Sequence, residues 1–349
     1  MKIRTYVGSD GHSVWFSDDL GATWVRPNSL SGLYLEVAVR GFASHASDAR
    51  TLLAATSHGL MRWDEYDGLW RKTSFPGNDV WEVAQSEKLP DVIFAGTCPA
   101  SVYRSQDRGK SWQACALPDL AQFSDINKGP TRVTQILFDP IDDKTIWVTV
   151  EIGGIYRSTD GGETWVLLTQ GLLSADIHGI LATRDASGKR LMMATTNRGL
   201  HYSRDAGDTW EFVQLDSPWQ YTRGVQLRAD GFKRIFLTNG DWPPGSTGRL
   251  LISDDAGQNW QERVLPADLN STVWCLGMNA ADPQLIYVVT GLGQLFISQD
   301  GGDNWRKIRR EFGSVRSVHW RLVPDDVPVI EQKRSSISLS PDKAAKAAA

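Results

Sequence analysis

The chain has 349 residues, 41% hydrophobic and 22% charged, with 37 Lys+Arg against 41 Asp+Glu for a formal charge of −4; this composition excludes wholesale disorder. Its longest basic cluster, Arg306 to Arg310, is broken by Ile308, which argues against nucleic acid as a partner. No run of about 18 apolar residues occurs and Met1-Lys2-Ile3-Arg4-Thr5 lacks the apolar stretch of a signal peptide, so no membrane partner is expected and the chain as written reads as cytoplasmic.

From the N-terminus, Ile3 to Val7 and Val14 to Ser17 read as two strands. They lead into the octapeptide Ser17-Asp18-Asp19-Leu20-Gly21-Ala22-Thr23-Trp24. The pattern S-x-D-x-G-x-[TSN]-W recurs at 105–112, 158–165, 203–210, 253–260 and 298–305, and a decayed copy lies at 63–70, with Glu65 in the Asp position and Asp67 where Gly is expected. The closing tryptophans, 24, 70, 112, 165, 210, 260 and 305, account for seven of the 15 in the chain. Each box follows a short alternating run such as Gly154 to Arg157 and precedes another such as Trp165 to Leu168, which reads as strand, tight turn, strand. Gly supplies a positive φ, Asp accepts turn N–H groups and Trp anchors the returning strand.

Two more strands separate the boxes, as in Thr272 to Met278 and Leu285 to Val289 on either side of Asp282-Pro283. Four strands per repeat (A, B, C, box, D) and seven repeats define an all-β fold, a seven-bladed β-propeller of antiparallel blades. The chain opens at strand B, so the run Val315 to Trp320 after the last box is expected to supply strand A of blade 1 and lock the ring. The expected organisation is one propeller over 1–323 and a C-terminal extension over 324–349 that ends in the low-complexity stretch Ala344 to Ala349. Cys98, Cys115 and Cys275 show no CxxC spacing, so neither a disulfide framework nor a metal site is expected, and no cofactor is implied.

The boxes resemble the Asp-box, or bacterial neuraminidase repeat, of the sialidase-like superfamily, over residues 1 to about 323. The same repeat occurs in sialidases, xyloglucan-active hydrolases, sortilin receptors and photosystem II assembly factors. What is shared is a structural element, and it brings no activity with it. Sialidases carry an Arg-Ile-Pro stretch near their start, where this chain has Lys2-Ile3-Arg4-Thr5-Tyr6. Sialidase activity is therefore not implied.

The boxes are C–D turns, so a site is expected on the opposite face, at the starts of the A strands and in the B–C loops. Aligning the A strands gives the column Leu35, Trp81, Thr134, His178, Arg223, Trp274 and Arg316, with Glu36, Glu82 and Gln135 next to it. Arginines and indoles together suit a planar, anionic or sugar-like ligand. The B–C loops add His12, His58, Glu151, Arg198, Asp241 and Trp242, and insertions at 118–131 and 239–248 rise on the same rim. The expected ligand-binding set is Trp81, Arg198, Arg223, Trp242, Trp274 and Arg316. If the protein is an enzyme, Glu82, Glu151 and Asp241 are the candidate carboxylates and His178 the acid or base of a glycosidase-like hydrolase or a lyase. Structural readings stand beside these. Trp81 and Trp274 would plug the channel, and Arg223 and Arg316 would pair with Glu36 or Glu82. The first functional expectation is a propeller binding a small polar, anionic or carbohydrate molecule; the alternative is a non-enzymatic assembly scaffold docking a protein partner on that face.

Overall fold

The computed structural model describes residues 1–126, 128–231 and 233–330. Within them, six four-stranded antiparallel sheets run outward in the order A-B-C-D, a three-stranded sheet runs A-B-C, and a two-stranded ribbon, Phe123–Ser124 with Gly129–Pro130, lies in the insertion before blade 4. Blade 4 is representative, with strands Arg132–Phe138, Ile146–Glu151, Gly154–Ser158 and Val166–Leu168. Its B strand is apolar and buried on both sides because neighbouring blades cover both faces, whereas its short D strand faces solvent on the outside. The A strands of successive blades pack against one another around the axis.

Blade 1 is assembled from both ends of the chain. Val315–Val323 pairs antiparallel with Lys2–Ser9, from Lys2 opposite Val323 to Ser9 opposite Val315. The same strand packs against the A strands of blades 7 and 2, Val273–Gly277 and Val39–Ala43, which closes the ring. The outer edge of blade 1 is abbreviated. Strand C, Val14–Ser17, meets only Val25, through Phe16. The next rung of that ladder would set Val14 against Pro27, which has no N–H to give.

Each intact box is wired in the same way. In the first, the Ser17 hydroxyl donates to Asp19 Oδ1 at 2.8 Å and accepts from Gly21 N at 2.9 Å; Asp19 also takes the Thr23 N–H at 2.8 Å and the Thr23 hydroxyl at 2.6 Å. Asn259 and Asn304 replace that hydroxyl with their Nδ2, donating to Asp255 and Asp300 at 2.7 and 2.8 Å, which is why Ser, Thr and Asn interchange there. These bonds hold the Asp107 and Asp205 carboxyls down to about 2, chiefly through the hydroxyls of Ser111 and Thr209. The glycine φ is positive throughout, as at Gly21 (83°). Box carbonyls also latch the blades together: Arg104 donates to Gly161 O at 2.8 Å, Tyr202 to Gly257 O at 2.5 Å and Arg234 to Gly301 O at 2.9 Å.

The decayed box is built differently from the sequence expectation. Asp64, not Glu65, caps the turn by accepting from Tyr66 N and Asp67 N, each at 3.0 Å. Glu65 turns inward and is fully buried. It accepts from Arg4 Nη1 at 2.8 Å, from Trp63 Nε1 at 2.9 Å and from the Tyr6 hydroxyl. Arg4, itself fully buried, also grips Asp18 through Nε at 2.6 Å and Nη2 at 2.7 Å and donates to Pro328 O. Residues up to 330 lie against the start of blade 1 in this way, and the alanine-rich end, 344–349, lies outside the described residues.

Candidate functional site

The face opposite the boxes is organised by one repeated irregularity. Near its start, the pairing of each A strand with strand B skips a residue, and the residue skipped is Arg40, Trp81, Thr134, His178, Trp274 or Arg316, with Arg223 and Gly224 sharing the bulge in blade 6. A bulged residue leaves the sheet's alternation and its side chain is re-aimed. Seven bulges at one height around an axis therefore deliver seven side chains to one mouth. Six of them are the sequence-derived column. In blade 2 the member is Arg40 and not Leu35, because strand A there begins at Val39; Leu35 and Glu36 lie in the preceding loop, exposed.

Arginine stacking on tryptophan dominates the mouth. Trp81 of blade 3 lies between Arg40 of blade 2 and Arg132 of blade 4, whose guanidinium carbons are 4.1 and 4.4 Å from the ring centroid. Trp274 of blade 7 lies between Arg223 of blade 6 at 3.8 Å and Arg316 of blade 1 at 5.0 Å. Carboxylates accompany three of these cations: Asp79 pairs with Arg40, Glu151 with Arg132, and Asp10 with Arg316 at 3.0 Å. Arg223 has no carboxylate within ion-pair distance among the described residues, and Nη1 donates to the Tyr221 hydroxyl at 3.2 Å. The indoles are thus neither bare plugs nor isolated, and the expected pairing of Arg223 or Arg316 with Glu36 or Glu82 is replaced by these contacts.

Among the candidate acids and bases, Glu151 is committed to Arg132. Asp241 accepts from Ser246 N at 3.0 Å and from the Ser246 hydroxyl at 2.7 Å and braces its own loop, which carries Trp242 into solvent at 68% exposure. His178 is buried, with Nδ1 2.6 Å from Thr222 O and Nε2 3.4 Å from Asp176. Burial and then the charge of Arg223 lower its pKa, against the opposing pull of Asp176. Arg198 is exposed in the B–C loop of blade 5. The Cys98 thiol is pushed up by burial and by Asp79, which disfavours a thiolate.

Glu82 differs from the others. It follows the bulge of blade 3 and lies against strand A of blade 2, where a Cβ on Gly41 would come within 3.4 Å of its Oε2. Burial pushes its carboxyl up to about 8, opposed only by the Val83 N–H. A carboxyl raised from 4.5 to about 8 weakens the fold as pH rises through that interval, and the loss is complete above 8. Because the side chain keeps some solvent exposure, Glu82→Gln is expected to stabilise the protein by roughly 1–2 kcal/mol at pH 9 and to be neutral at pH 4.5. Urea unfolding at the two pH values measures the difference.

Asp79, Arg132, Asp176 and Tyr221, each two positions before a bulge, and Arg40 itself were missed by the sequence reading. Their common offset from Trp81, Thr134, His178 and Arg223 was the signal that would have found the first four.

Fold and mouth together define a seven-bladed propeller of the turn-box class with an arginine–tryptophan face. The family described as "Photosynthesis system II assembly factor YCF48" matches residues 94–316, and the chain belongs to that family. A xyloglucanase of Paenibacillus sp is 26% identical over 265 residues, covering 63% of this chain and 26% of that protein. Among solved structures, the GH74 enzyme of Niastella koreensis superposes with a TM-score of 0.61 at 18% identity, over 77% of this chain and 45% of the enzyme. The structure described as YCF48 bound to D1 peptide gives a TM-score of 0.52 at 21% identity, over 77% of this chain and 80% of that one. The chain thus spans about a quarter of the xyloglucanase and under half of the GH74 enzyme, and the two structural likenesses are likenesses of fold.

Proposed function

We propose that this protein is a non-enzymatic assembly-type propeller that docks a polypeptide segment of a partner on the mouth opposite the boxes. The observation that carries the reading is the ring of Arg40, Arg132, Arg223 and Arg316 stacked on Trp81 and Trp274. Guanidinium planes held against indoles present fixed donors to carboxylates and carbonyls, and aromatic surface to apolar side chains, which is the combination that peptide recognition needs. The commitment of Glu151 and Asp241 to structural partners supports the non-enzymatic reading, as does membership in the assembly-factor family. A relative in complex with a D1 peptide supports polypeptide as the ligand class.

The test is calorimetric titration of the protein with that D1 peptide and with acidic peptides of similar length. The double variant Arg223→Ala/Arg316→Ala is expected to weaken binding at least tenfold while circular dichroism stays unchanged. Binding that survives the double change removes this face from the function. A second reading, a glycosidase-like hydrolase, is favoured by one observation, the Glu82 carboxyl that stays protonated at neutral pH as a general acid must. Release of reducing sugar from xyloglucan oligosaccharides, abolished by Glu82→Gln, would establish that reading instead.

A further inference from the structure

One large apolar side chain at the rim of the mouth is exposed on a loop that is not free to bury it. Trp242 stands in the B–C loop of blade 6 with 68% of its surface in solvent. Beneath it, Asp241 accepts from Ser246 N at 3.0 Å, from the Ser246 hydroxyl at 2.7 Å and from Thr247 N at 3.3 Å. Across the blade boundary the Thr272 hydroxyl donates to Trp242 O at 2.6 Å, and Thr272 N donates to Pro244 O at 2.7 Å. The main chain of Trp242 is therefore tied to the start of strand A of blade 7 while the indole stays in water.

The apolar surface around it continues into the stacked arginines. Gly291, in the B–C loop of blade 7, lies between Pro244 and Trp274: a Cβ there would meet Trp274 Cε3 at 3.1 Å and Pro244 Cβ at 3.5 Å. Leu292 follows, exposed, with its N–H given to the Ser271 hydroxyl at 2.9 Å. On the other side, Gly240, two residues before Trp242, pairs with Tyr221, whose hydroxyl accepts from Arg223 at 3.2 Å. Trp242, Pro244 and Leu292 thus form an apolar ledge beside Arg223, the stacked arginine that has no carboxylate within ion-pair distance among the described residues. The carboxylate and carbonyls of the loop are already engaged, so a sugar ring laid there would find few partners for its hydroxyls. An apolar side chain needs none, and covering an indole whose loop is already fixed incurs little ordering cost.

We propose that this ledge is the specificity element of the docking mouth: the bound segment sets a carboxylate on Arg223 and the side chain of an adjacent aromatic or large aliphatic residue on Trp242, Pro244 and Leu292. The inference rests on the polypeptide-docking reading and adds to it the kind of residue that is recognised. Arg223 supplies planar charge-assisted donors to the acid, and the indole supplies rigid apolar area to its neighbour.

Three capped peptides, identical except that a single Glu is flanked on both sides by Ala, by Leu or by Phe, are titrated calorimetrically into the full chain, with the D1 peptide alongside. The Phe peptide is expected to bind about tenfold tighter than the Ala peptide, with the Leu peptide between them. Trp242→Ala is expected to bring the three to one affinity and Trp242→Phe to restore most of the difference, with circular dichroism and Tm unchanged in both variants because the side chain is exposed. Arg223→Ala/Arg316→Ala is expected to weaken all three. Binding that is lost in Arg223→Ala/Arg316→Ala but is indifferent to the flanking residue and to Trp242→Ala overturns the ledge and leaves docking at the mouth standing. No binding of these peptides or of the D1 peptide overturns docking, and the ledge with it. Binding of xyloglucan oligosaccharides that Trp242→Ala abolishes overturns the ledge as an apolar subsite and assigns the indole to a sugar ring.

Discussion

Replacing Glu65 by alanine is expected to destabilise the protein by about 3–5 kcal/mol, read as a lower urea midpoint with an unchanged slope. Glu65 is fully buried between blades 1 and 2, and it is the acceptor for Arg4, Tyr6 and Trp63 at once. Its removal leaves a guanidinium with Asp18 as its remaining counter-charge, together with a buried hydroxyl and a buried indole N–H that have no other acceptor among the described residues. The large cost comes from stranding those donors, since an intact buried pair contributes little net stability once its desolvation is counted. The double variant Arg4→Met/Glu65→Leu is therefore expected to recover part of the loss, because it removes the guanidinium together with its buried counter-charge and leaves Asp18, partly exposed, to Lys2 at 3.3 Å, while the Tyr6 hydroxyl and the Trp63 N–H still lack Glu65. If the double variant were as unstable as Glu65→Ala, the charge argument would fail and packing would have to account for the effect.

Trp320→Ala is expected to cost a similar amount, about 3–5 kcal/mol, and to lower Tm by roughly 5 °C. Trp320 is fully buried on the closing strand, packed in one cluster with Val7, Tyr287 and Val318, and its backbone pairs with Thr5 from the other end of the chain. Trp147, equally buried, sits on strand B of blade 4 and packs against Ile177, Ile180 and Met192 of blade 5, away from the ring closure. Trp147→Ala removes similar volume and also the donor that Asp139 accepts at 2.9 Å, but it leaves the pairing of the two chain ends untouched. Trp320→Ala is expected to increase hydrogen exchange at Lys2–Ser9 and Val315–Val323 first, whereas Trp147→Ala should act on blades 4 and 5. Uniform exchange in both variants would mean that the ring opens as one unit rather than at its closure.

The fold was legible because its instructions are local. Ser, Asp, Gly, Thr or Asn, and Trp within eight residues contain every group needed to close the box turn, so counting boxes counted blades, and the missing first A strand pointed to Val315 to Trp320, which the structure extends to Val323. The site was only half legible for the opposite reason. The column from Trp81 to Arg316 could be aligned because bulged A-strand residues stand at a constant offset from buried ones, but blade 2 lost register, since the long loop before Val39 offers Val37 as a false buried reference. The decayed box was misread in the same way. Spacing put Glu65 where a capping Asp belongs, and only Arg4 and Tyr6, about sixty residues away in sequence, explain why it turns inward.

The number of blades and the antiparallel order within them could be read from the residues alone because they depend on turn chemistry and contacts within about fifty residues, and the closing strand because the first blade visibly lacks an A strand, even though it pairs with the other end of the chain. Which cations lie on which indoles, which carboxylates are already engaged and which carboxyl burial raises were set by the assembled ring. Those outcomes depend on blades meeting side by side: Trp274 gathers Arg223 and Arg316 from opposite neighbours, Glu82 is raised by a burial that exists only once the A strands surround the axis, and Trp15 meets Arg310 only where the last blade reaches the first.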